Sequence, residues 1–166
     1  MVAMSDTILR IDGLVGRPRD FSRADLAALP AEHQIDDVGR LDPKRRGRAV
    51  RLAGVLAEVS VLPEAGYLTL HASTDDFHAS VPLASIVDRG ILIYELDGGA
   101  LPISAGGPVR FYIPDFAACH SAEVDECANV KFVDRIELTR DRGQDNRPHD
   151  EKEHAALHEA EASKGH

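Results

Sequence analysis

The 166-residue chain has room for one folded core, and a hydrophobic content of 43% is ample to fill it. Its formal charge of −9 excludes a general nucleic-acid or anionic-membrane binder, because both need a positive field to displace counterions from phosphates. No run approaches the roughly 20 apolar residues of a membrane span, and the opening "MVAMSDTILRIDGLVGRPRD" carries acidic residues and no continuous apolar core, as a signal peptide would need, so a soluble cytoplasmic protein is expected.

Residues Ile8 to Leu14 predict an opening strand, ended by Gly13 and Gly16. "FSRADLAAL" predicts a short helix: Ser22 is its N-cap with Asp25 three residues on, Phe21 and Leu26 form a hydrophobic staple, and Pro30 stops it. "HQIDDV" predicts a strand, followed by the loop "GRLDPKRRGR". Over residues 40–51, Arg40, Lys44, Arg45, Arg46, Arg48 and Arg51 oppose only Asp42, a local excess of five positive charges that draws anions. A second helix is predicted over Leu52 to Val59, with Leu52, Val55, Leu56 and Val59 at helical spacing and Gly54 as a weak point.

"YLTLHASTDDFHASVPL" predicts a hairpin with strands Tyr67–Ala72 and Phe77–Leu83 around Ser-Thr-Asp-Asp, where an aspartate takes a left-handed turn position. His71 and His78 flank that turn and can face each other across the strands; a structural role is expected, since catalysis would need Asp75 or Asp76 as a partner. "GILIYEL" predicts a strand ended by Asp97-Gly98-Gly99. In "ISAGGPVRFYIPD" alternation puts Val109, Phe111 and Ile113 on one face and Arg110 with Tyr112 on the other, so Arg110 faces solvent, a buried carboxylate or a bound anion. "NVKFVDRIEL" predicts the last strand. Mixed strands and short helices make an α+β fold, with one domain over residues 1–143. Residues 144–166 form a charged tail rich in Ala, Glu and His, helical in composition but with too little apolar face to build a core.

Three blocks resemble a known family. "GRAVRLAGVLAEVSVLPEAGYLTLHASTDDFHASVPL", "LIYELDGGALPISAGGPVRFYIPD" and "CANVKFVDRIEL" are together similar to the molybdopterin-binding oxidoreductase domain of the sulfite oxidase type, in the same order and over about residues 8–139. That family carries a Gly-Val-Pro-Leu-like helix start, a Ser-x-Asp-Gly-Tyr hairpin, an Asn-Gly-x-x-Leu turn, a Gly-x-Pro-x-Arg strand and a closing Val-Lys-x-Val strand. The resemblance implies a mixed α+β fold and a pterin site near Gly107, Arg110, Asn129 and Lys131. An arginine suits an anionic cofactor because its fork makes paired, charge-assisted hydrogen bonds to phosphate. Family members also grip molybdenum with a cysteine upstream of the first block, where this chain has "EHQIDDVGRLDPKRRGRAVRL" without cysteine; Asp36 or Asp37 stands near that place, and a carboxylate is the harder ligand. The hairpin departs too, with Asp75-Asp76-Phe77 in place of Asp-Gly-Tyr.

Cys119 and Cys127 match neither a disulfide framework nor a common zinc spacing and read as thiols. His154 and His158, four apart with His149 nearby, are expected as exposed polar residues, and no metal site is assigned. The cluster of Arg45, Arg46 and Arg48 reads as a solvated loop, as an anion-binding lip beside the cofactor pocket, or as a nucleic-acid contact, the last disfavoured because no aromatic residue interleaves with the charges. Two functions follow: a divergent molybdopterin-dependent oxidoreductase holding an anionic pterin or small oxyanion, or a cofactor-free binding or interaction module on the same scaffold. The expected partner is a small anionic ligand or a protein.

Overall fold

Residues 7–41, 45–113 and 130–145 are described by the computed structural model, and strands dominate them as alternation predicts. In chain order these are β1 (Thr7–Gly13), β2 (Arg19–Ser22), α1 (Arg23–Ala27), β3 (Gln34–Ile35), β4 (Arg48–Arg51), α2 (Leu52–Val59), β5 (Tyr67–Ala72), β6 (Phe77–Pro82), α3 (Leu83–Ile86), β7 (Ile91–Leu96), β8 (Gly99–Ala100), β9 (Arg110–Tyr112) and β10 (Arg135–Thr139). The first sheet has the order β2-β1-β10-β5-β6, parallel only between β1 and β10. The second runs β3-β4-β7-β8, and β9 pairs with β7.

One face of each sheet turns inward. Leu9, Ile11, Leu68, Leu70, Ile136 and Leu138 of the first sheet share a buried cluster with Val50, Leu92, Tyr94 and Phe111 of the second and with the apolar stripe of α2. Each such side chain contributes about 1.5–3 kcal/mol when withdrawn from water. The second sheet has a further apolar cluster, formed by Ile35, Val38, Ala49, Ile91, Ile93, Leu101 and Tyr112. Covered on both faces, β7 is therefore apolar at consecutive positions instead of alternating.

The capping box of α1 forms as expected: Asp25 N donates to Ser22 Oγ at 3.0 Å, and Ser22 N donates to Asp25 Oδ2 at 2.9 Å. The other end is closed by Gln34, whose amide donates to the carbonyls of Leu26 at 2.8 Å and Leu29 at 3.2 Å. Helix α2 has the predicted bounds, and Gly54 is there for space: a methyl group on it would lie 2.7 Å from the His33 ring.

Some predicted strands are shorter than alternation suggests. The strand of "HQIDDV" lasts two residues, because the Asp37 carboxylate accepts from Gly39 N and caps a 3₁₀ turn over Val38–Arg40. Proline ends β6 by lacking a donor, and Leu83 starts α3 instead of extending the strand. The run around Arg110 is extended only over Arg110–Tyr112, after a 3₁₀ turn at Ile103–Ala105. Residues 130–133 do not begin β10. They pair with the segment before and within β9, through Phe132 N to Gly106 O, Val133 N to Val109 O and Phe111 N to Val130 O, each 2.8 Å. Phe132 lies in the left-handed region at φ 60°, and β10 starts only beyond it.

The last described residues return to the first sheet, where Gly143 N donates to Ser80 Oγ and the Asp145 carboxylate accepts from Ser80 N, both at 2.8 Å. No helix among the described residues is long and apolar enough to cross a membrane. Asn129, Lys44, both cysteines and the tail histidines lie outside the described residues.

Candidate anion-binding site

A tight turn sets the site. Pro102 O accepts from both Ala105 N and Gly107 N at 2.9 Å, and Gly106 follows at φ 98°, a conformation glycine adopts without strain. A side chain on Gly106 would meet Arg110 Cδ at 3.0 Å and Lys131 Cγ at 3.1 Å, so its absence lets the two cationic stems close in together. Gly107 serves the backbone: a side chain there would run into the Leu101 carbonyl. The 130–133 pairing thus brings Lys131, which is exposed, beside the strand of Arg110.

Arg110 is half-buried on the Tyr112 side of β9, as alternation predicts. Its Nη1 donates weakly to Ala105 O at 3.5 Å, while its Nε is buried with no hydrogen-bond partner. Arg45 lies nearby with its guanidinium 5.1 Å from the centre of the Tyr112 ring, and its Nε is likewise buried without a partner. Burial disfavours the charge of Arg110, and the neighbouring charge of Arg45 adds to this, so its pKa is lowered from the ordinary arginine value. Arginine keeps its proton regardless. Neither guanidinium meets a carboxylate among the described residues, and both line a cavity of about 230 Å³ with Arg46, Ile93, Leu96 and Ala105. Two guanidiniums with buried, partnerless Nε atoms on one cavity form a site that an anion would relieve.

Arg46 and Arg48 stand near carboxylates instead, although Arg48 Nε is also buried without a hydrogen bond. Arg46 reaches the cavity but also holds Asp97 through bonds of 2.9 and 3.2 Å at the surface. Arg48 lies 3.8 Å from Asp36 and 3.9 Å from Glu95, and Glu95 is also paired with Arg23 at 3.1 Å. These groups surround a second cavity of about 360 Å³ in which both signs of charge are present. Asp36 is 86% exposed at its rim, and the Asp37 carboxylate is occupied as a turn cap. Among the described residues, no three His, Cys, Asp or Glu side chains are grouped to hold a metal. The described residues therefore offer cationic donors of the kind that suit an anionic group.

Two features escape sequence reasoning, the meeting of Arg45 with Arg110 and the arrival of Glu137 beside His71. Arg45 faces Arg110 only because β4 and β9 flank β7 in the second sheet. His71 and His78 do meet, and they meet Asp76 as well: hairpin register sets the imidazoles opposite each other, with the Asp76 carboxylate 3.0 Å from His78 Nε2 and Glu137 3.0 Å from His71 Nε2. The signal for the pair was the hairpin itself; for Glu137 there was none, since it arrives from β10.

Residues 47–146 match the model of the family described as oxidoreductase molybdopterin binding domain. The chain is 30% identical over 122 residues to the uncharacterized oxidoreductase YuiH of Bacillus subtilis (strain 168), a match covering 69% of this chain and 60% of that protein. Among solved structures, the sulfane dehydrogenase SoxCD from Paracoccus pantotrophus superimposes with a TM-score of 0.61 at 23% identity, over 86% of this chain and 40% of the SoxCD chain. The fold is thus α+β of the sulfite oxidase type, and the chain spans less than two thirds of the length of either protein. With the matched residues covering more than half of its length, this chain belongs to the oxidoreductase molybdopterin binding domain family.

Proposed function

We propose that this chain holds an anionic pterin of the molybdopterin type, with the negatively charged end of the cofactor in the cavity between Arg45 and Arg110, and that it works as a divergent oxidoreductase domain. The observation that carries the reading is the pair of buried Nε atoms, on Arg45 and Arg110, that lack a partner beside one cavity. An unpaired buried cation is costly, and an oxyanion removes that cost by accepting from both forks. Tyr112 orients Arg45 through its ring face, Ile93 and Leu96 keep water from one wall, and Gly106 lets Lys131 stand close by as a third cation. Asn129 is proposed to join them. Arg46 contributes from the rim, whereas Arg48 acts on Asp36 and Glu95 across the neighbouring cavity. When bound, such a cofactor supplies the redox chemistry; the residues of this chain bind and orient it.

The test is retention. The full chain is produced in a host that makes the cofactor, and the pterin released on denaturation is oxidised and quantified by fluorescence. Wild type is expected to carry pterin, and Arg45→Ala and Arg110→Ala to retain about 10- to 100-fold less, the loss of one hydrogen bond to a charged group. Wild type free of pterin, or variants that retain as much as wild type, contradicts the proposal.

A further inference from the structure

The outer face of the first sheet carries polar groups that the anion cavity does not use. Pairing of β5 with β6 sets His71 directly opposite His78 and Thr69 opposite Ser80. Both histidines are buried, and their Nδ1 atoms are 2.7 Å apart, within hydrogen-bond distance. Their outer nitrogens are held as well, His71 Nε2 by Glu137 Oε1 and His78 Nε2 by Asp76 Oδ1, each at 3.0 Å.

Three hydrogen bonds thus link four titratable groups in file, and each bond requires a proton. Two neutral imidazoles supply two, and ionised carboxylates supply none. The file is complete only with a third proton, whether on a ring nitrogen or a carboxyl oxygen, which leaves the four groups with one net negative charge instead of two. The geometry does not suit a shared metal: the carboxylates stand at opposite ends, so the four groups do not converge on one point.

We propose that His71 and His78 form a buried proton-binding site that clasps the end of the β5–β6 hairpin. Charged groups face it from each neighbouring element. From β10 come Glu137 and Arg135, the latter 3.6 Å from the Glu137 carboxylate and tied by a 2.9 Å bond to Asp12 of β1. At the turn, Asp76 sits in the left-handed region at φ 49°, and Asp134 accepts from Ser73 N and Oγ. On the closing segment Asp145 holds Ser80 N and lies 3.7 Å from Arg142. Release of the third proton breaks one link in the file and loosens the turn on its β6 side. The same turn places Thr74 in an apolar cavity of about 350 Å³ beside Ile103, Pro108 and Phe132, so the loosening reaches that cavity.

The sign follows from proton counting. Where the folded chain holds one proton more than the unfolded chain, stability falls as pH rises, and the unfolding constant climbs by up to tenfold per pH unit across that interval. The experiment is an NMR titration of the full chain with ¹⁵N-labelled histidine, read together with amide-exchange protection at residues 74–77. The nitrogens of both rings are expected to shift together over one interval, with turn protection falling across it. In His78→Gln, which keeps a neutral donor and acceptor, protection and stability are expected to be flat over that interval. Rings that titrate independently, or turn protection unchanged through the titration, would overturn the proposal; so would a wild-type stability profile superimposable on that of His78→Gln. Should that variant fail to fold, the wild-type titration decides alone.

Discussion

Tyr94 is wholly buried, and its hydroxyl donates to Gln34 Oε1 at 2.7 Å while the amide of Gln34 closes the carbonyl end of α1. One hydrogen bond therefore joins β7 to the first helix through a shared side chain. Removing the donor strands the Gln34 oxygen, so Tyr94→Phe is expected to destabilise the fold by about 1–2 kcal/mol in urea unfolding. Burial pushes the Tyr94 phenol above its ordinary value. The folded state then keeps a proton that the unfolded state releases above about pH 10, so the contribution is full below that pH and lost as pH rises further. Tyr94→Phe should flatten the alkaline limb of the stability profile; an unchanged limb would contradict this. Gly107 makes a sharper demand, because any side chain strikes the Leu101 carbonyl. Gly107→Ala is expected to cost about 3 kcal/mol or more and to disturb the turn beneath Arg110, measurable as a lowered urea midpoint.

Elements with local rules were legible in the sequence, and those with distant partners were not. The cap of α1 is written within four residues, the stripe of α2 within eight, and the left-handed aspartate of the hairpin within its turn, and each forms as read. Alternation places Arg110 on the Tyr112 side of its strand, as found, but which of its three possible surroundings it meets depends on Arg45, delivered by the loop that leads into β4 of the same sheet. The pairing of residues 130–133 with residues 106–111 was hidden for a similar reason: apolar alternation runs on toward β10, while the left-handed Phe132 redirects the chain. Gly54 shows how far local propensity can mislead. Alanine improves an exposed helix by about 1 kcal/mol over glycine, yet here its methyl meets the base of the His33 side chain. Gly54→Ala is accordingly expected to lower stability by about 1–2 kcal/mol instead of raising it, and a raised thermal midpoint would contradict the packing described.

At the scale of the molecule, a chain with a formal charge of −9 brings Arg45, Arg46 and Arg110 to one cavity on the outer side of the second sheet. The surrounding negative charge repels anions at long range, so local geometry must hold what binds there. Arg46 and Arg48 have Asp97, Asp36 and Glu95 close by, whereas Arg45 and Arg110 share their cavity without a carboxylate among the described residues. Family membership accounts for the scaffold, while the proposed use of this cavity rests on those side chains. The most direct measurement is a crystal structure of the full chain isolated from a cofactor-producing host. The account predicts pterin density whose anionic oxygens lie about 3 Å from the guanidiniums of both Arg45 and Arg110. Bound pterin with its charged end elsewhere, leaving these two arginines without an anion, would contradict it.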